Sequence, residues 1–178
     1  MISDEIQFLK FSADHPAVFL DFYKAEDHDD FAHLLADAEV MKHVDGPKTE
    51  SEIEKLFRRA LGETAKPGDH IWAIRQTEDL AYVGHAALFC SDICQSNQRE
   101  ILFYLRKSFW HKGYAKTAGE QILQFATQRG YDMAWATVDA THEASKLVCE
   151  KIGFQIARMG ADDKGEFFIY FADLTPPT

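Results

Sequence analysis

One glycine, Gly113, stands between a β-rich run and a helical one in ILFYLRKSFWHKGYAKTAGEQIL, and this junction constrains the chain more than any other feature. The run EILFYLRK reads as a strand, and Ala115, Ala118, Ile122, Phe125 and Ala126 then recur at helical spacing. Glycine lets the backbone turn tightly between the two. The N–H groups of the loop and of the first helical turn then point at one spot, because they have no carbonyl four residues behind them. Together with the positive helix end, such donors suit a phosphate or pyrophosphate. Arg106, Lys107, Lys112 and Lys116 fall on the same turn, with no carboxylate between Tyr104 and Lys116. A tight strand-to-helix turn with solvated lysines is the plainer reading of the same residues. Neither GxxxxGK(S/T) nor GxGxxG is present, so nucleoside triphosphates and dinucleotides drop out as ligands.

The rest of the chain supplies a sheet and helices around this junction. Val18 to Tyr23 reads as a strand; Asp27 is a good N-cap for a helix carrying Phe31, Leu34, Leu35 and Ala38. Thr49 followed by Glu52 forms a capping box for a second helix with Ile53, Leu56, Phe57, Ala60 and Leu61 on one face. HIWAIRQ and AYVGHAALF predict a hairpin, MAWATVDA a further strand, and ASKLVCEKI a short helix stopped at Gly153. FQIARM and EFFIYFADL close the chain as an antiparallel pair. The order β-α-α-β-β-β-α-β-α-β-β predicts an α/β (α+β) fold in one domain over residues 1–174, with 175–178 a frayed tail. Its sheet is expected to be mixed, mostly antiparallel and of about six or seven strands, with about four flanking helices.

At 178 residues there is room for one well-buried core. A net charge of −10 argues against nucleic acid and anionic lipid as partners. Residues 1–60 hold 14 acidic and 7 basic side chains, a local −7 that favours a cationic substrate. No apolar stretch suits a membrane span, and the N-terminus does not read as a secretory leader. Cys90, Cys94 and Cys149 have neither disulfide-framework nor metal-knuckle spacing. These features imply a cytoplasmic protein.

The segment FWHKGYAKTA resembles the Q/R-x-x-G-x-G/A acetyl-coenzyme A loop of the GNAT N-acetyltransferase superfamily, in the variant written YWGKGYA. That variant belongs to the branch holding the ribosomal-protein N-terminal acetyltransferases and the spermidine acetyltransferases. Trp110 stands at the Q/R place, Gly113 at the glycine, Ala115 at the last position, and His111 replaces the variant's usual first glycine. ADAEVMKHVDGP, EILFYL and HEASKLVCEKIGF are similar to three further stretches of the branch, in order and at matching separations.

The resemblance implies direct attack of an amine on the acetyl thioester. It places the pyrophosphate on Trp110, His111, Lys112, Gly113, Tyr114, Ala115 and Lys116, and the pantetheine arm on main-chain groups of Phe103, Tyr104 and Leu105. His142 stands where relatives usually have an Asn that bonds the pantetheine. Ser145 stands where the branch has a Ser near the thioester sulfur; a helix-start cap is the other reading of that residue. Cys149 takes the place of a Tyr that in many relatives protonates the leaving thiolate, and an unreactive buried thiol is the alternative. Glu100 is the first candidate for the base that the attacking amine needs, and a plain strand-end carboxylate is its bland reading. The remaining histidines, His85 among them, have no convincing metal-ligand spacing and read as surface or core, so no metal is expected.

An acetyl-coenzyme A-dependent N-acetyltransferase acting on a protein N-terminus or a small cationic amine, as monomer or homodimer, is the expectation. A non-catalytic acyl-coenzyme A sensor of the same fold is the alternative, motivated by His142 and Cys149.

Overall fold

The computed structural model describes residues 18–176. In chain order these form β1 (Val18–Asp21), α1 (His28–Ala36), α2 (Glu50–Ala60), β2 (His70–Gln76), β3 (Tyr82–Phe89), β4 (Gln98–Leu105), α3 (Tyr114–Gln128), β5 (Met133–Asp139), α4 (Glu143–Lys151), β6 (Gln155–Asp162) and β7 (Gly165–Asp173). Short 3-10 turns precede α1 at Ala25–Asp27 and lead out of β4 at Lys107–Phe109. The expected element order is therefore the observed one, with seven strands and four α-helices. The expectations for residues before Val18 and for the last two residues lie outside the described part.

All seven strands share one sheet, ordered β1-β2-β3-β4-β5-β7-β6. Every neighbouring pair is antiparallel except β4 with β5, which run parallel. Side chains alternate across the pleat, so each strand serves two layers. Trp72, Ile74, Leu88, Ile101, Leu105, Ala134 and Tyr170 pack with Ala118, Ile122 and Ala126 of α3 and with Cys149 of α4. On the opposite face Ala73 and Tyr82 pack with Phe31, Leu34 and Leu35 of α1 and with Ile53, Phe57 and Ala60 of α2.

Helix signals are met in part. Thr49 and Glu52 close the capping box, each side chain accepting the other's backbone N–H. Asp27 precedes α1 as expected but makes no side-chain cap. Its carboxylate instead accepts from the Lys24 N–H at 2.8 Å and from Arg75 Nη2 at 2.6 Å, while Arg75 Nε donates to Asp21 at 2.8 Å. Arg75 thereby ties the end of β1 and the start of α1 onto β2. Gly84 of β3 is also demanded by packing, since a Cβ there would lie 2.0 Å from the Tyr104 carbonyl oxygen of β4.

The Asp27 side chain is only 6% exposed and that of Arg75 11%, so deleting the guanidinium strands a buried carboxylate. Arg75→Met is expected to lower the unfolding free energy by about 3–5 kcal/mol, read as a fall in the urea midpoint at unchanged slope.

Candidate active site

Strands β4 and β5 pair only at Gln98↔Met133, Arg99↔Ala134 and Glu100↔Trp135, and beyond Glu100 they part. β5 stays paired with β7 along its whole length, from Met133 to Asp139. The opening therefore lies between Ile101–Leu105 on one side and Ala136–Asp139 on the other. The Arg106 N–H donates to the Val83 carbonyl at 2.9 Å. Opposed residues of an antiparallel ladder alternate between bonded and unbonded pairs, so Tyr104 and Leu102 direct their main chain at β3. Phe103 and Leu105, by the same alternation, direct theirs into the opening. The Leu105 carbonyl already accepts the Trp110 indole Nε1–H at 2.8 Å. Trp110 thus pins the loop to the end of β4.

Gly113 occupies the end of that loop with φ 85°, the left-handed region that glycine adopts without strain, and α3 starts at the next residue. His111 is also left-handed, φ 58°. Glycine adopts this region with less strain than histidine, and His111 holds it before the Gly113 turn. His111, Lys112 and Gly113 are exposed, so the loop and the α3 N-terminus, with Tyr114, Ala115 and Lys116 in its first turn, face solvent at the open end.

The cationic island serves differently from the sequence expectation. Arg106 donates Nη2 to Asp30 of α1 at 2.5 Å and lies over the Tyr82 ring. Lys107 pairs with Glu39 at 3.1 Å, Lys112 donates to the Ser108 carbonyl at 2.7 Å, and Lys116 pairs with Glu120 at 3.3 Å. Arg106 and Lys107 hold α1 and the turn after it against the loop. The donors left for an anion are chiefly backbone amides.

His142 is the N-cap residue of α4, across the opening. Its ring stacks on His43 at 4.2 Å, and burial, then the His43 charge, holds its pKa below the ordinary value. His43 Nδ1 lies 3.2 Å from Asp139 Oδ2. Hydrogen bonds from Thr141, helped by His43, bring the Asp139 carboxyl down to about 2. Ser145 is half-buried in the first turn of α4 and is not its cap. Cys149, one turn on, is 2% exposed in the core, and burial pushes its thiol up to about 12. Glu100 is half-buried at the last β4–β5 pair and shares with Leu102 and Tyr104 the sheet face under α1 and α2.

On that face lies a cavity of about 160 Å³, bounded by Leu102 and Tyr104 of β4, by His85, Ala87 and Phe89 of β3, and by residues of α1, α2 and the segment between them. His85 had read as surface or core. It is buried, its Nδ1 is 3.0 Å from the Tyr23 hydroxyl, and Tyr23 bonds Tyr82 at 2.8 Å. Burial, reinforced by Arg59, lowers the His85 pKa to about 3, so the ring is neutral. Lys48 and Arg59 also line the cavity. A lone histidine in a β-run, a lysine before α2 and an arginine in its last turn carry no local signal, and only the tertiary fold brings them together. Among the described residues no group of three or more His, Cys, Asp or Glu could hold a metal ion, and no helix is long and apolar enough to cross a membrane.

Comparison with known proteins agrees with this fold. The acetyltransferase (GNAT) domain family matches residues 18–155. The chain is 23% identical over 129 residues to an uncharacterised protein, YkkB, of Bacillus subtilis (strain 168), covering 72% of this chain and 75% of that one. Among solved structures it is similar to an acetyltransferase of the GNAT family from Bacillus anthracis, with a TM-score of 0.77, 18% identity, and 88% and 95% of the two chains covered. It is also similar to the spermidine N-acetyltransferase of Vibrio cholerae, solved with CoA and spermine, with a TM-score of 0.76, 13% identity and the same coverages.

The buried His85 makes stability pH-dependent with a defined sign. Its folded pKa is about 3 against an ordinary 6.5, so its contribution is complete above about 6.5 and is lost as pH falls toward 3, where the unfolded chain binds the extra proton. In His85→Phe, the stability lost between about pH 7 and pH 5 should shrink by about 2 kcal/mol, measured by urea unfolding at both values.

Proposed function

We propose, from the premise that this chain belongs to the acetyltransferase (GNAT) domain family, that it is an acetyl-coenzyme A-dependent N-acetyltransferase acting on a primary amine by direct attack. The observation that carries this reading is the parting of β4 from β5 beyond Glu100, with the α3 N-terminus at its mouth. The open main-chain groups of Phe103 and the Leu105 N–H suit the amides of a pantetheine arm, which would add to β4 as a further strand does. Trp110, by bonding Leu105, narrows what β4 offers and fixes the loop. Gly113 and His111 shape that loop, and the amides of Tyr114, Ala115 and Lys116 with the helix dipole suit a pyrophosphate, with Lys112 beside it. Tyr104 contributes its side chain to the cavity and its main chain to β3.

The thioester supplies an activated acyl carbon. The amine approaches it from the cavity on the opposite face of the sheet. Its nitrogen bonds the acyl carbon, a main-chain N–H of the opening stabilises the oxyanion, the carbon–sulfur bond breaks, and the thiol carries off a proton. Glu100 sits where the strands part, and we assign it to take the ammonium proton directly or through one water. Ser145 is the residue assigned to the sulfur side, as a hydrogen-bond donor. Cys149 is a weaker donor for the same place, because a thiol near 12 gives up its proton less readily than an ordinary thiol of about 8.5. His142, committed to the His43 stack, positions the β5–α4 turn beside the arm.

Two acceptor classes follow from the family branch, a protein N-terminus and a small cationic amine. The acidic balance of residues 1–60 favoured the cation, but Asp30 and Glu39 of that stretch are paired to Arg106 and Lys107.

Thiol release from acetyl-coenzyme A with a panel of amines and N-terminal peptides tests the reading. Gly113→Asp puts a side chain at φ 85° and a negative charge on the α3 N-terminus, and should weaken coenzyme A binding by about 100-fold in calorimetry. Glu100→Gln should lower kcat by about 10²–10⁴ with coenzyme A affinity intact. Binding without release from any acceptor would establish the sensor instead, and no binding would end the family-based reading of the site.

A further inference from the structure

The cavity beside the opening has a chemistry that narrows the acceptor, and the inference rests on the transferase reading above. The chain holds 29 acidic and 19 basic side chains, yet among the described residues Lys48 and Arg59 line this cavity and no carboxylate does. Its other polar groups are the neutral His85 ring and the Tyr104 hydroxyl, whose pKa burial raises further, so it stays a donor. The remaining walls are apolar, Phe31, Leu35 and Met41 among them. A volume of about 160 Å³ suits a small molecule, since liquid water takes roughly 30 Å³ per molecule.

Each of these cations already has a carboxylate beside it, outside the cavity lining. Asp69, 1% exposed, accepts both Nε and Nη2 of Arg59 on its single oxygen Oδ2, at 3.2 and 2.6 Å, and does not line the cavity. Asp45 pairs with Lys164 of the β6–β7 turn and stands 4.0 Å from Lys48. Lys48 Nζ has the Val44 carbonyl at 3.3 Å, and its side chain is 18% exposed. An acceptor with a second ammonium would set cation against cation here, and a plain alkylamine would bring nothing to match the two cations that face the cavity. A carboxylate would match this lining: the guanidinium has five N–H donors, of which the Asp69 contacts engage those on Nε and Nη2, and the Lys48 ammonium carries three.

We propose that the acceptor is a small amine carrying a carboxylate on an apolar body, as a hydrophobic α-amino acid does. Its carboxylate is held by Lys48 and Arg59, its apolar part lies under α1, and its amine faces the β4–β5 opening near Glu100. The amine nitrogen bonds the acyl carbon, the carbon–sulfur bond breaks, and the products are an N-acetyl amino acid and the free thiol. The ammonium proton passes to Glu100 or water, and the thiolate takes up a proton.

Thiol release measured with leucine, methionine and phenylalanine, with their amides, and with spermidine tests this. The amides keep the amine and the side chain and lose only the carboxylate. The free amino acids are expected to turn over, with kcat/KM for each amide lower by about 100-fold. Lys48→Glu, at unchanged coenzyme A affinity, should lose the amino acids and shift relative preference toward spermidine by at least about 100-fold. Amides used as well as the free acids, or spermidine or N-terminal peptides preferred by the native protein, would overturn the proposal and leave the transferase standing. Coenzyme A binding with no release from any acceptor would overturn both.

Discussion

The loss of pairing between β4 and β5 after Glu100 is the constraint on which the rest of the structure depends. Two parallel strands that part leave main-chain donors and acceptors facing a gap, and the fold must make good on both sides of it. β5 is secured by seven pairs with β7, and β4 by six with β3, so neither strand needs the other. α3 and α4 fill the wedge beneath. Gly119 matters there, because a Cβ on it would lie 2.7 Å from Ile152 Cδ1 and near the Phe103 ring at 3.8 Å. The two helices and Phe103 thus meet where the sheet has opened. Trp110 then satisfies the last carbonyl of β4 and fixes the direction of the loop into α3.

The other side of the gap is walled by the segment from α1 to α2, and charge holds it there. Asp30 and Glu39 meet Arg106 and Lys107 of the β4–α3 loop, His43 meets Asp139 and stacks on His142 at the β5–α4 turn, and Asp45 meets Lys164 of the β6–β7 turn. Each anchor lies on a different loop around the opening. Exposed pairs such as Lys107–Glu39 contribute little singly, but together they fix one segment over three loops. The acidic surplus of residues 1–60 is therefore partly spent within the molecule.

The order of elements, the glycine turn and the Thr49–Glu52 capping box were legible in the sequence because each is written in local spacing. The family resemblance located the loop and the strand before it for the same reason. Asp27 misled, because a residue that caps helices well also accepts a buried arginine, and Arg75 lies 48 residues on. The basic cluster between Tyr104 and Lys116 was visible as charge, but its pairing with Asp30 and Glu39, over separations of 76 and 68 residues, was not. His85 and Tyr82 of β3 join Tyr23 of the turn after β1, and no periodicity marks a hydrogen-bond network of that kind.

The cavity's charge also bears on the proton that the reaction must lose. An amine bound as its ammonium cannot attack, and nearby fixed cations disfavour the charged form. Lys48 and Arg59 would therefore lower the pKa of an amine held between them and the opening, easing its deprotonation by Glu100. The same cations would repel the acceptor unless it brought an anion of its own. A carboxylate on the acceptor resolves the conflict: it holds the molecule by the charge that the cavity supplies, while the amine, placed further along, meets the base. The Tyr23–Tyr82–His85 network adds no charge to this balance, because burial keeps all three groups neutral at physiological pH. The field on the acceptor face then combines Lys48 and Arg59, each with a carboxylate outside the lining, and Glu100, which lies where the strands separate.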